Sequence, residues 1–137
     1  MTLTVTATTS AGMSLGSSTY TWTFDSLYDA PSSLAAVAGN YSDGNATLSI
    51  NSNGVIFEQD PTSGCVLNGQ ISLIDARYDV YSVSITDSNC SVAPATAVTL
   101  TGLASLNQTV SSATLDLGIS GSVNGRFLVF TAQVIKQ

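Results

Sequence analysis

Along most of the chain hydrophobic and polar residues alternate with a period of two, the spacing that sends successive side chains to opposite faces of a strand. Leu3, Val5 and Ala7 share one face of a first segment, with Thr2, Thr4 and Thr6 on the other. Thr19 to Phe24 repeats the pattern: Tyr20, Trp22 and Phe24 lie against Thr19, Thr21 and Thr23, and the aromatic face is expected inside. The alternation lapses after Asp29, where Pro31 can open a helical turn and Leu34-Ala35-Ala36-Val37-Ala38 reads as one short helix over 31–38, ended by Gly39. Strands resume at Asn40-Tyr41-Ser42 and at Ala46 to Ile50, which is expected to pair antiparallel with Val55 to Gln59 across Asn51-Ser52-Asn53-Gly54. Asp60-Pro61-Thr62-Ser63-Gly64 reads as the next turn. Cys65 to Ile74 and Tyr78 to Thr86 follow as a pair, with Asp79, Tyr81, Val83 and Ile85 on the inward face of the second. Val98 to Leu106, Ala113 to Ile119 and Arg126 to Ile135 complete the chain.

These segments number about eight to ten, and every connection is short enough to join antiparallel neighbours. The expected fold is therefore all-β: an antiparallel up-and-down β-barrel or strongly curled meander with one short helix, the alternative being a β-sandwich. Closure favours the barrel because it removes exposed sheet edges. The 137 residues make one domain, with an N-terminal hairpin over 1–26, the helix over 31–38 and the meander over 40–137.

Charge narrows the function classes. Lys and Arg number 3 against 9 Asp and Glu, with no His, for a net charge of −6. Arg77, Arg126 and Lys136 cannot form the basic face that a nucleic acid or an anionic membrane surface requires. No apolar run is long enough for a transmembrane helix. The N-terminus lacks the basic and apolar regions of a signal peptide, so an exported protein would be represented here by its mature part or by a fragment.

Two cysteines, Cys65 and Cys90, with 24 residues between them, exclude a CxxC redox motif, and without His they are too few for structural zinc. A structural bridge and two buried thiols remain. The bridge is the expected reading, because the Ser/Thr/Asn-rich, charge-poor composition is that of a protein outside the cytoplasm, and it would contribute about 3.5 kcal/mol. It would tie the start of one strand to the segment just past its hairpin partner.

Catalytic chemistry finds little support. No His is present for a Ser–His pair, and a Ser–Lys variant would have to use Lys136. Glu58 with Asp60, or Asp75 with Asp79, are the carboxylate pairs that could act as acid and base, but Asp60 and Asp75 fall in turns and Glu58 is expected on a solvated strand face. Asp43-Gly44-Asn45 and Asp87-Ser88-Asn89 have turn composition without calcium-loop spacing, so no metal or cofactor is expected. Tyr20, Trp22 and Phe24 are candidates to line a ligand pocket, with core packing the favoured reading. Tyr28, Tyr41, Tyr78 and Tyr81 are the candidates for an exposed binding surface.

Tyr28-Asp29-Ala30-Pro31-Ser32-Ser33-Leu34-Ala35, Ala38-Gly39-Asn40-Tyr41, Gly64-Cys65-Val66-Leu67-Asn68-Gly69, Tyr78-Asp79-Val80-Tyr81 and the later Cys90 together resemble a family of bacterial envelope proteins, often lipoproteins, of unknown function. Gly39-Asn40-Tyr41 is also similar to the Gly-x-Trp start of lipocalin and avidin-like barrels. The resemblance implies a secreted, periplasmic or outer-membrane-associated β domain and transfers no activity to residues. The expectation is thus a non-enzymatic, extracytoplasmic binding or structural module whose partner is a protein, glycan or small molecule of the envelope. The alternatives are a filament or adhesin subunit assembling through strand contacts, and a small-ligand carrier using the barrel interior.

Overall fold

In the computed structural model the alternating segments fold as ten antiparallel strands; it describes residues 2–8, 14–21, 26–44, 46–60, 64–88, 97–123 and 125–137. Strands β1 (Thr2–Thr8) and β2 (Ser14–Thr21) form a two-stranded sheet of their own, with Leu3 opposite Tyr20 and Val5 opposite Ser18. The expected extension of that strand through Trp22 and Phe24 lies outside the described residues. A 3-10 turn at Ser26–Asp29 and a single helical turn, α1 (Leu34–Val37), lead into the meander. Ser33, not Pro31, opens this helix: its backbone is extended and its hydroxyl accepts the Ala36 N–H at 3.0 Å, a serine N-cap.

Eight strands follow in unbroken up-and-down order: β3 (Gly39–Ser42), β4 (Thr47–Ile50), β5 (Val55–Gln59), β6 (Val66–Leu73), β7 (Tyr81–Ser88), β8 (Val98–Asn107), β9 (Thr114–Val123) and β10 (Arg126–Lys136). Each pairs with the next, and β10 pairs back onto β3, so the sheet closes into a barrel and the sandwich alternative falls. Closure is short, resting on Ile135 opposite Ser42, Lys136 opposite Tyr41 and the Gln137 N–H donated to the Asn40 carbonyl at 2.9 Å.

The interior follows from parity. Tyr41, Leu48, Ile50, Ile56, Ile71, Tyr81, Val83, Ile85, Ala104, Leu106, Leu115 and Val134 are buried together, and each strand contributes alternate residues. The expected inward set Asp79, Tyr81, Val83 and Ile85 is buried throughout. Gly102 is the tight point of the wall: a Cβ there would run into the Gly118 carbonyl oxygen, so only glycine lets β8 and β9 approach.

Three boundaries differ most from the sequence expectation: β2, expected from Thr19 after a loose stretch at Gly16-Ser17-Ser18, begins at Ser14 and pairs through those residues. The strand expected from Tyr78 begins at Tyr81, because the Tyr78 N–H turns back to the Asp75 carbonyl (3.0 Å) and the Asp79 N–H goes to the Tyr28 carbonyl (2.9 Å). Gly121 to Val123, expected as loop, continues β9; a Cβ at Gly121 would lie 2.5 Å from the Thr99 carbonyl oxygen, so the strand can pass this close to its neighbour only with glycine there.

Candidate functional site

The two ends of the barrel are built differently. At one end α1 lies across the opening, with Val37 fully buried. So short a helix leaves its last carbonyls, those of Ala36 and Val37, without internal partners; side chains of β10 and β3 supply donors to them, and one from β7 adds to the Ser33 carbonyl that already accepts the Val37 N–H. The Tyr41 hydroxyl donates to the Val37 carbonyl (2.7 Å), the Lys136 ammonium to the Ala36 carbonyl (2.8 Å), and the Tyr81 hydroxyl to the Ser33 carbonyl (3.3 Å). Lys136 also sits over the Tyr41 ring, 5.9 Å from its centroid. The lead into the helix is held as well, by the Ser32 N–H donated to the Ala76 carbonyl at 3.1 Å. The end is a plug.

Asp79 anchors the plug's far side. It is buried, and its carboxylate accepts the Leu106 N–H (2.9 Å to Oδ2) and the Ser105 hydroxyl (2.9 Å). Asp75, its expected acid–base partner, is instead engaged by Arg77 in a two-residue clasp, with guanidinium to Oδ2 at 2.7 Å. That contact holds the Asp75 carboxyl at about 2, below the usual carboxylate range. Each carboxylate thus has a structural partner of its own.

Toward the opposite end the described residues leave the interior unfilled. A cavity of about 200 Å³ is lined by Leu48, Leu67, Ile85, Leu117, Ile119 and Val134, floored by Tyr41 and flanked by Phe130. Glu58 and Asp43 are its acidic members. Glu58 corrects the expectation of a solvated strand position: it shares the inward parity of Ile56, pairs in register with Leu48 and is only half exposed. Burial, with the charges of Asp43, Asp60 and Asp87 nearby, pushes its pKa up. Its proton is therefore held more tightly in the folded state, a contribution to stability present at acid pH and lost as pH rises through the folded value. Glu58→Gln is expected to raise Tm at pH 7, with the gain shrinking toward pH 4 in a thermal melt series.

The sequence candidates separate in space. Tyr41 and Tyr81, expected on an exposed surface, are fully buried, since their rings complete the core and their hydroxyls reach the helix. Burial pushes Tyr41 up to about 12 and raises Tyr81 as well. Tyr78 stacks on Tyr28 at a centroid distance of 4.9 Å, with the Arg77 guanidinium 5.4 Å from the Tyr78 ring centre, on the outside of the plug end. The side chain of Tyr20 and all of Trp22 and Phe24 lie outside what is described. Cys65 is half-buried ahead of β6 and carries no free thiol, while Cys90 falls outside the described residues.

Comparison with family models, curated proteins and solved structures finds no match. The closed eight-stranded antiparallel barrel is compatible with a lipocalin or avidin-like barrel. Among the described residues no helix is long and apolar enough to cross a membrane, and no group of His, Cys, Asp and Glu is placed to hold a metal.

Proposed function

We propose that the chain is a non-enzymatic binding module, working outside the cytoplasm, whose barrel mouth takes a small apolar molecule carrying a positively charged end. The observation that supports this most is the apolar cavity walled by Leu48, Leu67, Ile85, Leu117 and Ile119, with Glu58 and Asp43 at its lining. A cavity of about 200 Å³ is below the roughly 300–1,000 Å³ of drug-sized sites, so the fitting ligand is a single ring or short chain. An apolar cavity of roughly 150 Å³ already accepts benzene. The negative character of Glu58 and its neighbours selects a cationic end and rejects an anionic one.

Titration with benzylammonium, toluene and benzoate, followed by amide NMR shifts, tests the reading. The expected order of affinity is benzylammonium, then toluene, then benzoate. Glu58→Gln reduces the preference for benzylammonium over toluene, and Leu117→Trp, which fills the cavity, removes binding. Absence of binding by all three, or shifts away from the mouth, contradicts it.

The extracytoplasmic setting and the resemblance to bacterial envelope proteins belong to the same proposal, as does a Cys65–Cys90 bridge. Intact mass after alkylation of the native protein should show no modified cysteine before reduction and two after it. Two labelled thiols without reduction would remove the bridge and the main argument for an oxidising compartment.

A further inference from the structure

We propose that the open edge of β10 pairs with the same strand of a second copy, antiparallel and centred on Phe130. The inference rests on backbone pairing rather than on the cavity's ligand, although Phe130 also flanks the cavity.

The geometry begins with the short closure of the barrel. On its β9 side, β10 is paired from Arg126 to Ile135; on its β3 side, only Ile135 and Lys136 have strand partners, because β3 ends at Ser42. Residues 126–134 therefore present an unpaired edge on the described part of the barrel wall. Which backbone groups point there follows from two hydrogen bonds. The Lys136 N–H goes to Ala113 on the β9 side, and the Gln137 N–H goes to Asn40 on the β3 side. Since alternate residues of an antiparallel strand bond to alternate sides, and the β9–β10 register runs without a shift, Phe127, Val129, Thr131 and Gln133 turn their amides and carbonyls to the open edge.

Proteins ordinarily guard such an edge with charge, proline or a bulge. Phe127 to Val134 contains none of the charged residues and no proline. Instead the segment concentrates exposed apolar side chains: Phe127 is 72% exposed, Val129 62% and Phe130 50%. Phe130 points inward by parity with Val134, opposite Ile119 of β9, and it is half exposed because β3 does not reach it on the other side. Of the two polar side chains in the segment, Thr131 and Gln133, the second is already turned to Asp116 of β9 at 2.8 Å.

The partner follows from the self-matching of this edge. The unpaired run 126–134 has Phe130 at its midpoint, so a two-fold antiparallel pairing about Phe130 uses every open residue of both copies. It sets Phe127 opposite Gln133 and Val129 opposite Thr131, joining the outward-bonding residues to each other, and brings the two Phe130 rings together on the inner face. Four such pairs supply about eight backbone hydrogen bonds. No charge faces a like charge within the paired stretch. The area covered, on the order of 1,000 Å², is at the low end for a specific interface, so a reversible, micromolar dimer is expected.

Sedimentation of the full chain over a concentration series tests this. The expected result is a monomer–dimer equilibrium that Val129→Lys and Thr131→Pro abolish. Thr131→Pro removes an amide facing the open edge and none bonded to β9. Leu103→Lys, on the outward face of β8, should leave the dimer intact. In the unaltered protein, amide exchange at Phe127, Val129, Thr131 and Gln133 should slow as concentration rises, while Leu128, Phe130 and Ala132 are slow throughout. A monomer at every concentration overturns the inference. So does an association, through β1 and β2 or any other surface, that both edge variants leave unchanged.

Discussion

Replacing Asp79 with leucine is expected to lower the unfolding free energy by roughly 3 kcal/mol, a large share of the 5–15 kcal/mol typical of a domain. The carboxylate accepts the Leu106 N–H and the Ser105 hydroxyl in a buried setting, while its own N–H holds the Tyr28 carbonyl. Leucine matches the volume approximately but leaves the Leu106 amide without its acceptor, and the cost of a buried orphan donor outweighs the added apolar contact. Asp79→Asn keeps one acceptor oxygen and should lose less. The urea midpoint checks both; an unchanged midpoint for Asp79→Leu would mean that the far side of the plug is not held by this residue.

The second large effect is expected at Tyr41. Tyr41→Ala should cost about 4 kcal/mol, because a fully buried ring joining β3, the helix and the cavity floor is replaced by a void. Tyr41→Phe retains the packing and should cost about 1 kcal/mol for the lost bond to the Val37 carbonyl. Alkali offers an independent check. Folding raises the Tyr41 hydroxyl from its ordinary value near 10 to about 12, so the folded state favours the neutral form. The associated stability is present below pH 10 and is lost as pH rises toward 12. Tyrosinate absorbance should show a transition that Tyr41→Phe removes.

How far these features can be read from the sequence depends on how local they are. The Asn51–Gly54 turn and the pairing of Thr47–Ile50 with Val55–Gln59 are legible because a tight turn with Gly54 at positive φ leaves one register that keeps Ile50 and Ile56 together. The same parity places Glu58 inside, two residues beyond Ile56; its charge argues for solvent, and parity prevails, leaving the carboxylate half-buried at the cavity lining. The plug is a different matter. Its donors come from Tyr41, Tyr81 and Lys136, up to 100 residues from the carbonyls they meet. Only Tyr41 is local to its partner, four residues past Val37; no periodicity relates Tyr81 to Ser33 or Lys136 to Ala36, and although alternation turns Tyr81 inward it does not show where the hydroxyls go. The open edge of β10 is equally non-local, since it follows from where β3 ends rather than from β10 itself.

α1 seals one end of the barrel, and an apolar cavity lies toward the other. Methyl NMR under xenon pressure tests it most directly, because xenon partitions into apolar cavities that water does not fill. Progressive shifts are predicted for Leu48, Leu67, Ile85, Leu117 and Ile119, with Val37 and Ile71 at the sealed, packed end unmoved. Shifts confined to Val37 and Ile71, or none anywhere, would contradict the account.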